Sequence, residues 1–133
     1  MAKPHIYIAD TPDKGRGVFT RKAIAAGTVI ETAPVIVMTN DERLHIDQTL
    51  LQHYIFEWQP DGQNLCCMAL GLIPMFNHAY QSNCEYFMEY DEKTMYVQAA
   101  RDIAAGEELT VNYNGTWNDE TPVWFHKTDA DTP

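Results

Sequence analysis

Turn residues divide this chain into many short segments, and little of it has helical spacing. The tripeptide Ala-Ala-Gly occurs twice, at residues 25–27 and 104–106, each time between segments that resemble strands. Glycine lets a chain turn at low steric cost, and β-branched residues favour strands. The pattern therefore predicts a mainly β domain of short strands in one compact unit.

The strand candidates are rich in β-branched and aromatic residues. They are Ile6–Ile8, Val18–Thr20, Thr28–Ile30, Val35–Met38, Tyr86–Tyr90, Met95–Ala99 and Leu109–Tyr113. Asp91-Glu92-Lys93 is predicted to form the hairpin turn between two of these strands.

Residues 47–58 fit two kinds of secondary structure. Leucines and Trp58 recur at helical spacing behind a possible N-cap at Asp47, whereas Tyr54, Phe56 and Trp58 alternate as in a strand. We predict a short helix that runs into a strand.

Composition limits both size and partners. A chain of 133 residues fits one domain, and 45% hydrophobic residues are enough to form a core. The formal net charge of −10 argues against binding of a phosphate backbone, which requires clustered Lys and Arg. It favours a basic partner and no direct contact with nucleic acid.

Neither a membrane span nor a signal peptide is apparent in the sequence. Apolar runs such as Val35–Met38 are far shorter than a spanning helix, and the first ten residues have no apolar core. We therefore expect a soluble, cytoplasmic protein with no membrane contact. The odd number of cysteines, with Cys66 adjacent to Cys67 and Cys84 alone, predicts reduced thiols and no metal site.

Three polar motifs could carry chemistry. The first is Lys14-Gly15-Arg16-Gly17-Val18-Phe19, a G-x-G loop that is either a plain turn or a backbone that approaches a ligand closely. The second, residues 76–84, places Asn77, His78 and Asn83 in an otherwise apolar region, as a structural or a binding cluster. The third, residues 106–113, ends a strand at Tyr113, which either packs or places its hydroxyl in a pocket.

In this order and spacing, the three motifs resemble the SET-domain methyltransferases, most of which methylate protein lysines. The resemblance covers residues 12–125 of a single domain, 1–133, and residues 40–73 occupy the place of the family's variable insert. It implies a β-clip fold of several short sheets, a small helical insert and a knot-like C-terminal segment.

The resemblance also implies roles for individual residues. Lys14, Gly15, Arg16, Gly17 and Val18, together with Asn77 and His78, would bind S-adenosylmethionine. Tyr113 would be the catalytic residue, where the cofactor methyl and the lysine nitrogen meet.

The channel for the substrate lysine would be lined by Tyr54, Phe56, Val111 and Tyr113. In the family, the position of Val111 is usually aromatic and affects how many methyl groups are added. A small side chain there favours multiple methylation. The alternative interpretation is that Tyr54 and Phe56 only pack in the hydrophobic core.

Two departures from the family pattern stand out. Ala79, Tyr80 and Ser82 alter the family's second motif, and no cysteine follows Cys84, so a zinc-binding segment after Tyr113 is excluded. We predict instead that Trp124 or Phe125, in the aromatic tail 114–133, folds over the adenine or the channel mouth. Plain core packing is the alternative for these aromatic residues.

The sequence leaves other functions open. A SET-fold module that binds basic protein segments without catalysis is the main alternative to an enzyme. A partner subunit, in a homodimer, could complete the groove. The acidic residues near the motifs could steer a Lys-rich substrate or could form a solvated face.

Overall fold

Short strands and turns make up most of the structure, as the sequence predicts. The computed structural model describes residues 5–113, and it is mainly β, with 44% strand and 16% helix. The predicted fold class is thus confirmed. The aromatic tail 114–133, including the predicted knot-like segment, lies outside the described residues.

The described strands form one open, mixed arrangement. They are β1 (Ile6–Asp10), β2 (Arg16–Thr20), β3 (Val29–Met38), β4 (Phe56–Trp58), β5 (Leu65–Ala69), β6 (Asn77–His78), β7 (Cys84–Glu89), β8 (Thr94–Ala99) and β9 (Glu108–Val111). Their order is β1-β2-β9-β7-β8-β3-β5-β4, and β6 pairs with β9. The sheet does not close into a barrel.

The two Ala-Ala-Gly turns lie side by side. Ile24 and Ile103, which precede them, form an antiparallel bridge with N–H to O distances of 2.9 and 2.8 Å. Gly27 and Gly106 both have φ +86°, in the left-handed region that favours glycine. The repeated tripeptide therefore marks two equivalent turns that are packed together.

Strand β3 joins two predicted strands into one. Residues 29–34 pair with β8 and residues 35–38 pair with β5, so Pro34 lies where the partner changes. This position suits a residue without an N–H, because no regular ladder continues through it. The hairpin predicted at residues 91–93 is confirmed between β7 and β8.

The helix of the insert begins earlier than the sequence pattern predicts. Helix α1 spans Asn40–Ile46, and Asp47 is its C-cap, so the N-cap predicted at Asp47 is wrong. Thr39 caps the helix in a capping box with Glu42, in which each side chain bonds the other residue's backbone N–H. The reciprocal hydrogen bonds start the helix at residue 40, ahead of the leucine pattern.

The ambiguous segment itself, residues 47–58, contains no α-helix. Leu50–His53 form one 3-10 turn with both leucines exposed, and β4 follows as the alternating aromatic residues indicate. None of the residues of helix α1 is buried. An ion pair of 2.9 Å between Arg43 and Glu57 links the helix to β4. The same insert contains β5, which is not among the strands predicted from the sequence.

The core lies between the inward faces of these strands. The largest fully buried apolar side chains come from β2, β3, β8 and β9, from the residues just before β6 and from the bridge before the second Ala-Ala-Gly turn: Phe76, Ile30, Ile73, Met95, Ile103, Leu109, Val18, Val97 and Val111. No helix within residues 5–113 is long and apolar enough to cross a membrane.

Asn83 ties the start of β7 to β9 by side-chain hydrogen bonds. Its Oδ1 accepts from the N–H of Thr110 at 2.8 Å, and its Nδ2 donates to the carbonyl of Glu108 at 2.8 Å. The side chain is 2% exposed, so water cannot replace these bonds. The amide thereby replaces two rungs of a strand ladder.

Substitution Asn83→Ala should therefore lower the free energy of unfolding by about 2 kcal/mol or more, since buried backbone groups lose their partners. The matched control is Asn64→Ala, at an exposed residue that accepts one 3.4 Å bond from Gln59. That control should change stability by less than about 0.5 kcal/mol. Urea unfolding followed by circular dichroism measures both, and equal effects would contradict this role of Asn83.

Candidate active site

Strand β9 brings the three polar motifs together. It pairs antiparallel with β2 through Val18 and Leu109, and parallel with β6, where His78 lies opposite Val111. Cys84, at the start of β7, also lies opposite Val111. The loop before β2, the Asn-His pair of β6 and Tyr113 thus meet around one strand.

The G-x-G loop approaches the Asn-His pair from one side. Gly15 is exposed at φ +72°, and a Cβ there would meet nothing within 4 Å. The loop is closed by Thr11, which donates from its N–H to the carbonyl of Gly15 at 2.7 Å. Lys14 reaches across, with its ammonium 3.4 Å from the carbonyl oxygen of His78. The loop therefore presents open backbone and a cation beside β6.

Gly17, unlike Gly15, lies where there is no space for a side chain. A Cβ at Gly17 would lie 2.7 Å from Nδ2 of Asn77 and in contact with the carboxylate of Glu108. That Nδ2 donates to Oε2 of Glu108 at 2.8 Å and to the carbonyl of Arg16 at 3.2 Å. Gly17 thus leaves room for the Asn77–Glu108 hydrogen bond, while Arg16 is exposed next to it.

Tyr113 is held at three points just beyond the end of β9. Its N–H donates to Nδ1 of His78 at 3.0 Å. Its hydroxyl donates to the carbonyl of Phe76 at 3.0 Å, and its own carbonyl accepts from the hydroxyl of Tyr86 at 3.1 Å. These bonds reach two separate segments, residues 76–78 and β7, so the orientation of Tyr113 depends on the fold around it.

Burial keeps the tyrosines of the site neutral. Desolvation raises the pKa of Tyr113 well above its usual value, and the nearby hydroxyls of Tyr86 and Tyr54 raise it further. Desolvation also raises the pKa of Tyr86 to about 12. Neither hydroxyl ionises near neutral pH, so each serves as a hydrogen-bonding group and not as a base.

Aromatic rings surround Tyr113. The Phe56 ring lies edge-on to Tyr86 at 5.0 Å between centroids and edge-on to Tyr113 at 6.4 Å. The His78 ring lies 5.2 Å from Tyr113. Tyr54, at the end of the 3-10 turn, is close enough to affect the pKa of Tyr113. The predicted channel residues Tyr54 and Phe56 therefore gather around Tyr113.

Two predicted site residues are fully buried. Val18 is 0% exposed and Val111 is 1% exposed, and both belong to the hydrophobic core. Val18 could therefore reach a ligand only through its backbone. Trp124 and Phe125 lie outside the described residues.

From the sequence, Glu108 is predicted only as part of the acidic surface near the motifs, and Tyr86 only as part of a strand. Glu108 belongs to the third motif, and its bond to Asn77 is a long-range contact that spacing does not reveal. Tyr86 was placed only in a strand, although alternation along β7 separates inward Cys84 and Tyr86 from exposed Phe87. Alternation could have indicated which aromatic residue faces the site.

The cysteines form no disulfide within residues 5–113. Cys66, Cys67 and Cys84 are free and buried, and burial raises the pKa of Cys67 and of Cys84 to about 12. Within residues 5–113, no group of three or more His, Cys, Asp and Glu residues could hold a metal ion.

Comparison with known proteins gives a consistent family match. The family model described as SET domain matches residues 15–114. A curated relative in Schizosaccharomyces pombe, a histone-lysine N-methyltransferase specific for H3 lysine 37, is 38% identical over 111 residues, which are 81% of this chain and 72% of the relative.

Solved structures have the same fold. A Plasmodium falciparum protein described as a candidate histone methyltransferase has a TM-score of 0.65 and 26% identity, with 86% of this chain and 97% of that chain covered. The Neurospora SET domain protein DIM-5, a histone lysine methyltransferase, has a TM-score of 0.65 and 22% identity, with 89% and 55% covered.

Substitution Gly17→Ala should displace the amide of Asn77, because the new methyl group would occupy space filled by Asn77 and Glu108. Overpacking of this kind costs about 1–3 kcal/mol of stability. Two-dimensional NMR of the Asn77 side-chain amide measures the displacement directly. The control is Gly62→Ala, in an exposed turn with open space around it, which should leave that resonance in place. An unmoved Asn77 amide in Gly17→Ala would contradict the proposed reason for this glycine.

Proposed function

Because the chain belongs to the SET-domain family, we propose that it transfers a methyl group from S-adenosylmethionine to the side-chain amine of lysine in a protein. The observation that carries the proposal is the three-point attachment of Tyr113 beside His78, with aromatic rings around it. The S. pombe relative, named as a histone-lysine methyltransferase, supports the same reaction type.

The residues around β6 suit the amino-acid end of the cofactor. Lys14 supplies a cation for a carboxylate, and the carbonyl of His78 can accept from an ammonium. Gly15 leaves open space beside them, and Asn77 offers an amide. Gly17 and Val18 would contribute mainly backbone groups, since both are buried, and Arg16 is exposed at the start of the same strand.

The sulfonium of S-adenosylmethionine supplies an already activated methyl group when bound. The protein must then align the lysine nitrogen with it and exclude water. A lysine amine attacks only when neutral, and its ordinary pKa is about 10.4. Burial between Phe56, Tyr54 and Tyr113 disfavours the ammonium form and lowers its pKa.

Tyr113 acts in this proposal as the catalytic positioning and electrostatic group. Its hydroxyl is neutral because its pKa is raised, so it does not take the proton from lysine. The small, buried Val111 leaves no hydroxyl at its position on β9, which favours addition of more than one methyl group.

The substrate proposed is a basic protein segment. The chain carries a net charge of −10, which attracts lysine-rich partners and repels nucleic acid. Part of this charge is already engaged, since Glu107 pairs with Arg101 at 3.2 Å and Glu108 bonds Asn77. Asp91 and Glu92, in the exposed hairpin turn, are available to solvent. Histone H3 is the first substrate to test, given the named substrate of the relative.

Substitution Tyr113→Phe should lower the rate of methyl transfer by about 10²-fold, the usual size of a lost positioning or polar contact in a transition state. The affinity for S-adenosylmethionine should change little. Radiolabelled transfer into recombinant H3 measures the rate, and calorimetry measures cofactor binding. The pH at half-maximal rate should match that of the unaltered protein, because the neutral tyrosine is not the titrating group.

Three results of these assays would count against the proposal. Cofactor binding without transfer to H3, to other core histones or to basic ribosomal proteins would favour a binding module. Absence of cofactor binding would exclude both readings. Equal rates in Tyr113→Phe and the unaltered protein would remove the role of Tyr113.

The aromatic tail is proposed to cover the cofactor through Trp124 or Phe125. A chain that ends after Asn118 should then bind S-adenosylmethionine about tenfold more weakly, since an aromatic ring over a ligand contributes about 1–3 kcal/mol. Calorimetry on the shortened and full chains measures this difference. A matched shortening after Lys127 keeps both aromatic residues and should bind as the full chain does. Equal affinity after both shortenings would contradict the role of the tail.

A further inference from the structure

Tyr86 occupies a position in the site that neither the motifs nor the proposed mechanism assigns. It lies on β7, two residues beyond the point where β7 pairs with β9, and its ring packs edge-on against Phe56 at 5.0 Å. Its register partner on β8 is Val97, which is fully buried. Tyr86 therefore faces the interior, toward Tyr113.

Its hydroxyl makes one defined bond. The oxygen lies 3.1 Å from the main-chain carbonyl of Tyr113, to which it donates. A phenol carries a single proton, so a hydroxyl that donates to this carbonyl cannot donate to a second group. The proton stays in place at neutral pH, because burial raises the pKa of Tyr86 to about 12.

The carbonyl of Tyr113 lies beyond the regular pairing of β9. Strand β9 ends at Val111, so ladder hydrogen bonds do not reach residue 113. The N–H of Tyr113 donates to His78 and its hydroxyl donates to the carbonyl of Phe76, so both of these groups are held from the side of β6. The Tyr86 bond adds a third point of attachment, at the carbonyl and from β7.

We infer that Tyr86 is a positioning residue for methyl transfer: its hydroxyl fixes the carbonyl of Tyr113 and so holds the Tyr113 ring toward the transfer site. The inference rests on the proposed function, because it assigns Tyr86 a task through Tyr113. Tyr86 acts without touching the reacting atoms. A displacement of about 1 Å in a reacting group can lower the rate by about 10²-fold. Loss of the Tyr86 hydrogen bond is therefore expected to lower the rate of methyl transfer.

The test compares Tyr86→Phe with Tyr96→Phe. Tyr96 lies on β8, and its ring stacks on exposed Phe87 at 5.1 Å, on the opposite face of the same strands. Methyl transfer to H3 should show a kcat lowered by about tenfold or more in Tyr86→Phe, at saturating cofactor. The affinity for S-adenosylmethionine should stay within about twofold in both variants, and Tyr96→Phe should keep the rate of the unaltered protein.

A double-mutant cycle separates a positioning role from a merely structural one. If Tyr86 acts through Tyr113, adding Tyr86→Phe to Tyr113→Phe should cost much less than Tyr86→Phe alone. Additive losses would overturn the inference, as would an unchanged kcat in Tyr86→Phe. A change in the number of methyl groups at an unchanged rate would overturn it too, since the hydroxyl would then face the substrate nitrogen.

A spectroscopic measurement applies even where the double variant is too slow to assay. The Cζ resonance of ring-labelled Tyr113 should shift in Tyr86→Phe and stay in place in Tyr96→Phe, and the reverse pattern would overturn the inference. The activity of the unaltered protein distinguishes a failure of the proposed function from a failure of this inference alone. If it transfers no methyl to any protein substrate, the proposed function fails and this inference with it. If it is active and Tyr86→Phe is equally active, only the inference fails.

Discussion

The parallel pairing of β9 with β6 and β7 is the constraint on which the site depends. β9 has only the four residues Glu108–Val111, yet it pairs with β2 on one side and with β6 and β7 on the other. Parallel pairs form between distant segments, and here two of them converge on Val111. Residues far apart in the chain are thereby brought within hydrogen-bond distance of one another.

Side-chain hydrogen bonds supplement the few ladder hydrogen bonds that the short strand β9 can make. Asn83 replaces ladder bonds beside β9, and Asn77 is held by Glu108 in the space that Gly17 leaves. Beyond the end of β9, His78, Phe76 and Tyr86 hold Tyr113. Buried polar groups of this kind are costly when unpaired, so each bond also specifies one arrangement over its competitors.

Low polarity around Tyr113 serves both structure and the proposed chemistry. The rings that raise the pKa of Tyr113 also disfavour a charged lysine ammonium beside it. The same burial keeps the hydroxyl of Tyr86 protonated as a donor. A neutral, water-poor site suits a reaction whose methyl donor is already activated and whose nucleophile must lose its charge.

The sequence by itself determined the mainly β class, most strand positions, the hairpin at 91–93 and the family, because alternation, turn residues and motif spacing are local or one-dimensional. It misplaced the helix cap at Asp47, although Thr39 and Glu42 have the spacing of a capping box. It did not predict β5, nor the junction of two strands into β3. Only the tertiary structure decided that Gly17 is needed beside Asn77 and Glu108, and that Tyr86 reaches the carbonyl of Tyr113. Those contacts join segments 27 to 91 residues apart, as between Tyr86 and Tyr113 or between Gly17 and Glu108, and no local pattern encodes which of them meet.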